Sequence, residues 1–223
     1  MSDPYLEAAV EFAENPEARC PCVLLLDISG SMRGAPIDAL NEGIRAFKED
    51  LSKDTLASRR VEAALVGFHN EIEVHCDFCT IDRFDPPQLV AGGQTHMGGA
   101  VLKALDMIAA RKAAYKTNGI SYYRPWVFLI TDGEPQGEDP TLFEEAVRRV
   151  HDDELGKRVA FFGVGVEGAN MASLARLCVR APVKLSGLNF VEMFVWLSKS
   201  AQAVAASKMD EMVALPPPGW GTV

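Results

Sequence analysis

The sequence predicts an α/β fold, with a mostly parallel central sheet, one antiparallel edge strand and helices on both faces. Three observations carry this reading. Short apolar runs recur at 22–28 (CVLLLDI), 61–68 (VEAALVGF), 126–131 (WVFLIT), 159–164 (VAFFGV) and 182–185 (PVKL), as expected of strands buried on both faces. Helical patterns lie between most of them, and such alternation marks crossover connections in a parallel sheet. The segment 72–78 (IEVHCDF) alternates apolar with polar residues and follows its predecessor through a tight connection at His69 and Asn70, which reads as an antiparallel edge strand closing a hairpin.

Taken in order, residues 1–19 read as a short helix and a connector through Asn15 and Pro16, and 20–207 as the main domain. Its helices are expected at 36–51, 98–114, 141–155, 170–179 and 189–207. The final segment, 208–223, ends in LPPPGWGTV. Three consecutive prolines exclude a regular helix there, leaving an extended end that lies on the domain or binds elsewhere.

A chain of 223 residues with 48% hydrophobic content can bury one substantial core. No apolar run approaches the roughly 18 residues needed to cross a bilayer, and MSDPYLEAAVEF lacks a basic region followed by an apolar stretch, so a cytoplasmic protein is expected. Five cysteines are an odd number, poor material for a disulfide framework, and read as reduced thiols. The net charge of −9 comes from 31 acids and 22 bases. With no Lys/Arg cluster, such a surface repels nucleic acid.

The chemistry concentrates in CPCVLLLDISGSMRG (20–34), where a buried strand ends in Asp27, Ser29 and Ser31. Ligands of open parallel sheets gather at the carboxyl ends of the strands. The same topology brings Thr95, from the loop AGGQTHMGG, and Asp132, from LITDGEP, to that rim. Five hard oxygen donors without His or thiol suit Mg²⁺, with Mn²⁺ or Ca²⁺ as alternatives. Neutral hydroxyl ligands leave such an ion much of its charge, so a carboxylate from another protein could complete its shell.

Asp27-x-Ser29-x-Ser31, then Thr95, then Asp132 in a TDG turn resemble the metal-ion-dependent adhesion site of von Willebrand factor A (VWA) domains. The resemblance covers the chain from about 20 to 200. It implies a Rossmann-like domain in which Ser29, Ser31 and Thr95 touch the metal directly, Asp27 and Asp132 act mainly through water, and a partner's Glu or Asp takes the open position. EFAENPEARCPCVLLLDISGSM, GISYYRPWVFLITDGEP, PVKLSGLNFVEMFVWLSKS and LPPPGW further resemble the bacterial tellurium-resistance TerY-type proteins. That likeness implies a stress-response complex, often alongside a protein kinase and a PP2C-type phosphatase. His96 departs from the expected proline after the threonine and sets a titratable group at the rim.

Other motifs read more simply. Gly163, Gly165 and Gly168 spell G-x-G-x-x-G but lie in the wrong half of the fold, with no acid about 20 residues on, so close packing accounts for them. Cys20, Cys22, Cys76 and Cys79 raise a zinc site, but the two pairs would be separated by one strand, roughly 10 Å, and packing is the favoured reading. His69, His75 and His151 are scattered, while Phe190, Phe194 and Trp196 fit core contacts on the last helix. The rival function is a metal-dependent phosphatase or other hydrolase using Asp27. Haloacid-dehalogenase-type enzymes place an acid two residues after their nucleophile, where this chain has Ser29, and no general acid or base is evident. The expected function is therefore a non-enzymatic, metal-dependent protein-interaction module.

Overall fold

The computed structural model describes residues 10–209 and 211–222. The expected N-terminal helix falls partly on residues outside that range; 10–14 are helical. The elements that follow are β1 (Cys20–Asp27), a 3₁₀ turn (Gly30–Met32), α1 (Ala35–Ser52), α2 (Thr55–Arg60), β2 (Val61–Phe68), β3 (Ile72–Thr80), α3 (Met97–Thr117), β4 (Trp126–Thr131), α4 (Pro140–Leu155), β5 (Ala160–Gly165), α5 (Met171–Leu177), β6 (Val183–Leu185), α6 (Phe190–Ala206) and β7 (Gly221–Thr222).

They build a seven-stranded sheet in the order β3-β2-β1-β4-β5-β6-β7. The strands from β2 to β6 are parallel. The expected antiparallel edge is β3, and the two-residue β7 adds a second at the opposite edge. Strand order reverses between β1 and β4, so the crevice beyond their carboxyl ends is where ligands bind in such sheets.

Every residue of β1 is buried, and its alternating side chains feed two cores. Cys22, Leu24 and Leu26 face α1 and α6, among Leu40, Ile44, Phe47, Phe190 and Phe194. Val23 and Leu25 face α3 and α4, among Val101, Ala104, Phe143 and Ala146. Gly43 lets α1 and α6 approach closely, since a Cβ there would sit 3.0 Å from Phe190 Cβ.

The C-terminal segment lies back on the domain. Trp196 Nε1 donates to the Pro216 carbonyl at 2.9 Å, Trp220 is buried, and Gly221–Thr222 pair with Leu185 and Lys184. Among the described residues no helix is long and apolar enough to cross a membrane.

At the other end of the sheet, Glu62 is fully buried on β2. Its carboxylate accepts Arg19 Nε at 2.7 Å and Arg111 Nε at 2.9 Å, together with the Tyr115 hydroxyl. Arg111 reaches on to Glu11 at 2.5 Å, so the cluster ties the N-terminal segment to the sheet. Two guanidiniums against two carboxylates leave no net buried charge. Breaking such a group by removing one partner strands the others, at a cost of about 3–5 kcal/mol. Glu62→Ala is accordingly expected to lower stability by about that amount, read as a fall in urea midpoint with unchanged slope.

Candidate metal centre

Asp27 ends β1 with no solvent exposure. Both of its oxygens are engaged: Oδ1 accepts the Ser29 amide at 2.8 Å and Oδ2 accepts the Thr131 hydroxyl at 2.6 Å. Burial pushes this carboxyl upward from the usual range, and the bonds from Ser29 and Thr131 oppose the shift. The chain then turns through Gly30–Met32, whose Met32 is fully buried and anchors the exposed Ser31.

The second loop is built by backbone contacts. Gly92 N donates to Ile28 O at 2.8 Å, Gly30 N to Gly93 O at 3.0 Å and His96 N to His69 O at 3.0 Å. Asn70 Oδ1 accepts the Gln94 amide at 2.6 Å. Gly93 is required by its φ of +79° and because a Cβ would lie 2.9 Å from that same Asn70 oxygen. The loop opens α3, whose first amides, Gly98 N and Gly99 N, donate to the Glu138 carboxylate at 2.6 and 2.9 Å. Gln136 N bonds Thr95 O at 2.9 Å, joining the Thr95 loop to the Asp132 loop.

These loops meet in a cleft of about 600 Å³ lined by Ser29, Ser31, Thr95, Asp132, Gly133 and Glu134 among others. Ser29 Oγ and Ser31 Oγ are 3.0 Å apart, and Ser31 Oγ donates to Asp132 Oδ1 at 2.8 Å. Asp132 is buried, which raises its carboxyl while the Ser31 bond lowers it. A side chain at Gly133 would touch both Thr95 Oγ1, at 3.4 Å, and Asp27 Oδ2, at 3.8 Å. The structure thus brings four of the five expected residues to one cleft and sets Asp27 behind them.

The donor set, made of oxygens alone, fits a hard divalent cation. The Ser29 and Ser31 hydroxyl oxygens, 3.0 Å apart, are close enough to be neighbouring ligands of one ion. Among the described residues no group of three or more His, Cys, Asp or Glu side chains could hold a metal, so an ion at this rim would need the hydroxyls.

The match to a family model settles the class. The von Willebrand factor type A domain model matches residues 22–190, and the chain belongs to that family, whose members serve mostly as adhesion or interaction modules. Among solved structures it is similar to a von Willebrand factor type A protein from Catenulispora acidiphila, at 17% identity and a TM-score of 0.63, over 83% of this chain and 43% of that one. The pilus adhesin SpaC from Lactobacillus rhamnosus GG matches at 14% identity and a TM-score of 0.64, over 84% of this chain and 30% of that one. Proximal thread matrix protein 1 from the mussel byssus, solved with a zinc-occupied MIDAS motif, matches at 16% identity and a TM-score of 0.55, over 83% and 48%. The chain therefore spans less than half the length of each of these proteins. A search of curated protein sequences finds no match.

Other expected features fall elsewhere. Gly163 packs against Cys178, whose Sγ would lie 2.6 Å from an added Cβ, in keeping with the packing reading of the glycine motif. His69 and His75 bridge to Glu73, and His151 bonds the Arg176 carbonyl. His96 flanks the cleft, its Nε2 buried without a protein partner. Sequence reading missed Thr131, Asn70 and Glu138, which touch the site's frame through contacts between distant segments; only Thr131 carried a signal, as the polar end of an apolar strand beside Asp132. Thr131→Val leaves a buried Asp27 oxygen without its donor. It is expected to cost about 1–3 kcal/mol, measurable as a lower denaturant midpoint with an unchanged circular dichroism spectrum.

Proposed function

We propose that this chain is a non-enzymatic, divalent-metal-dependent protein-interaction module. Ser29, Ser31 and Thr95 would hold the ion directly, while Asp27 and Asp132 would act mainly through water. The observation that carries the proposal is the oxygen chain Ser29–Ser31–Asp132, with steps of 3.0 and 2.8 Å, lying in front of an Asp27 whose two oxygens are already engaged. That division of labour leaves the hydroxyls facing the cleft and keeps the buried carboxylate as the group that orients them. When bound, the ion supplies a Lewis-acidic position for a Glu or Asp of a partner protein. Mg²⁺ is the favoured ion for this all-oxygen set, with Mn²⁺ or Ca²⁺ as alternatives; the zinc-occupied motif of the mussel protein supports a divalent ion in general.

The physiological setting rests on the TerY-type resemblance: a cytoplasmic tellurite or stress-response complex, with a kinase and a PP2C-type phosphatase as expected neighbours. The serine that stands at position 29 in place of an acid supports binding over hydrolysis, because a phosphatase using Asp27 would need a proton donor there.

Titration calorimetry of metal-free protein with Mg²⁺, Mn²⁺ and Ca²⁺ is expected to show divalent-ion binding that is lost in Ser29→Ala/Ser31→Ala. Thr95→Ala and Asp27→Ala should abolish chelator-sensitive capture of a partner while the protein stays folded. Metal affinity unchanged by the serine substitutions would overturn the assignment.

A further inference from the structure

The five cysteines fall into two groups. Cys20, Cys22 and Cys178 are buried, at 1%, 2% and 5% exposure, and burial pushes the Cys20 and Cys178 thiols up to about 12. They behave as small core hydrophobes. Cys76 and Cys79 are half-buried on the edge strand β3.

Residues three apart on a regular strand point to opposite faces. Here they do not. Between the pairs Ala63↔Cys79 and Val66↔Val74 the edge strand spends five residues against three on β2, through two register shifts. These bulges turn both thiols to one face, with Cys76 Sγ and Cys79 Sγ 3.4 Å apart. Cys22 lies in the same register row, across Ala63 from Cys79, but it is sealed in the core, so the accessible unit is a dithiol and not a four-sulfur site.

The pair is also asymmetric. The hydrogen bond between the sulfurs, in which either can donate, lowers the pKa of Cys76 and raises that of Cys79. Asp77 and Asp85 work against the Cys76 thiolate and Lys48 favours that of Cys79, but the sulfur–sulfur bond is the leading influence on both. A nucleophile beside a protonated resolving thiol is the arrangement that thiol–disulfide exchange uses.

We propose that Cys76 and Cys79 form a thiol–disulfide exchange site that reacts with low-molecular-weight disulfides such as oxidised glutathione. The Cys76 thiolate attacks one sulfur of the small disulfide, forming a mixed disulfide and releasing a thiolate that takes up the Cys76 proton. Cys79, deprotonated in turn, attacks Cys76 Sγ and displaces the second small thiolate, which takes the Cys79 proton. Two protein thiols are oxidised to one disulfide, and one small disulfide is reduced to two thiols.

The test equilibrates the folded full chain with oxidised glutathione at neutral pH, blocks the remaining thiols by alkylation, and maps the peptides by mass spectrometry. The expected product is a Cys76–Cys79 disulfide, reversed by excess reduced glutathione, with Cys20, Cys22 and Cys178 unmodified. Cys79→Ser should stop at a glutathione adduct on Cys76, because the thiol that resolves the mixed disulfide is gone. Cys76 and Cys79 both still free for alkylation after equilibration with excess oxidised glutathione would overturn the proposal, and so would a wild-type glutathione adduct that persists without resolving to the Cys76–Cys79 disulfide. The wild-type map decides the matter by itself if the variant fails to fold.

Discussion

Burial of β1 on both faces is the constraint on which the rest depends. A strand with no exposed side chain from Cys20 to Asp27 needs a helical layer on each side, and the two cores formed by its alternating residues fix where α1, α6, α3 and α4 sit. Ending that strand in a carboxylate carries a penalty unless the group is hydrogen-bonded. The Ser29 amide and Thr131 hydroxyl meet that need, and in doing so they pin the turn after β1 to the end of β4. The cleft exists because Asp27 is satisfied from within the protein.

Chemistry at the cleft follows from that placement. Its front is made of hydroxyls and one buried carboxylate, on a chain whose net charge is −9. An acidic partner would meet repulsion over most of this surface. The proposed divalent ion on weak neutral ligands would reverse the sign locally while keeping enough charge for an anionic ligand. The Gly92–His96 loop is held by five backbone and Asn70 contacts, so Thr95 is presented by a frame rather than by a loose loop.

The sequence made much of this legible. Unbroken apolar runs located β1, β2, β4 and β5 to within about two residues, because strands buried on both faces leave a dense local signal. Asp27, Ser29, Ser31, Thr95 and Asp132 could be assigned to one rim because topology alone carries the ends of parallel strands to the same edge. The short α2 was not foreseen: its six residues are too few for a periodic pattern, although Asp54 caps it by accepting the Leu56 and Ala57 amides at 2.9 Å. Glu62 sat inside an apolar run with no sign of its partners, which come from residues 43 to 53 positions away in sequence.

By itself the sequence determined the strand-and-helix alternation, the antiparallel return at β3 and the oxygen-rich rim, since each is written in residues close together or in the order of elements. Tertiary structure alone decided three things. It folded the proline-rich end back as the seventh strand, where Trp220 found a buried site beside Trp196. It assembled the Arg19–Glu62–Arg111 cluster, whose charges are tolerable only together. And it bulged β3 so that Cys76 and Cys79 share a face. Each depends on pairing between distant segments, and the balance of packing, charge and register that selects such pairings has no local signature in the chain.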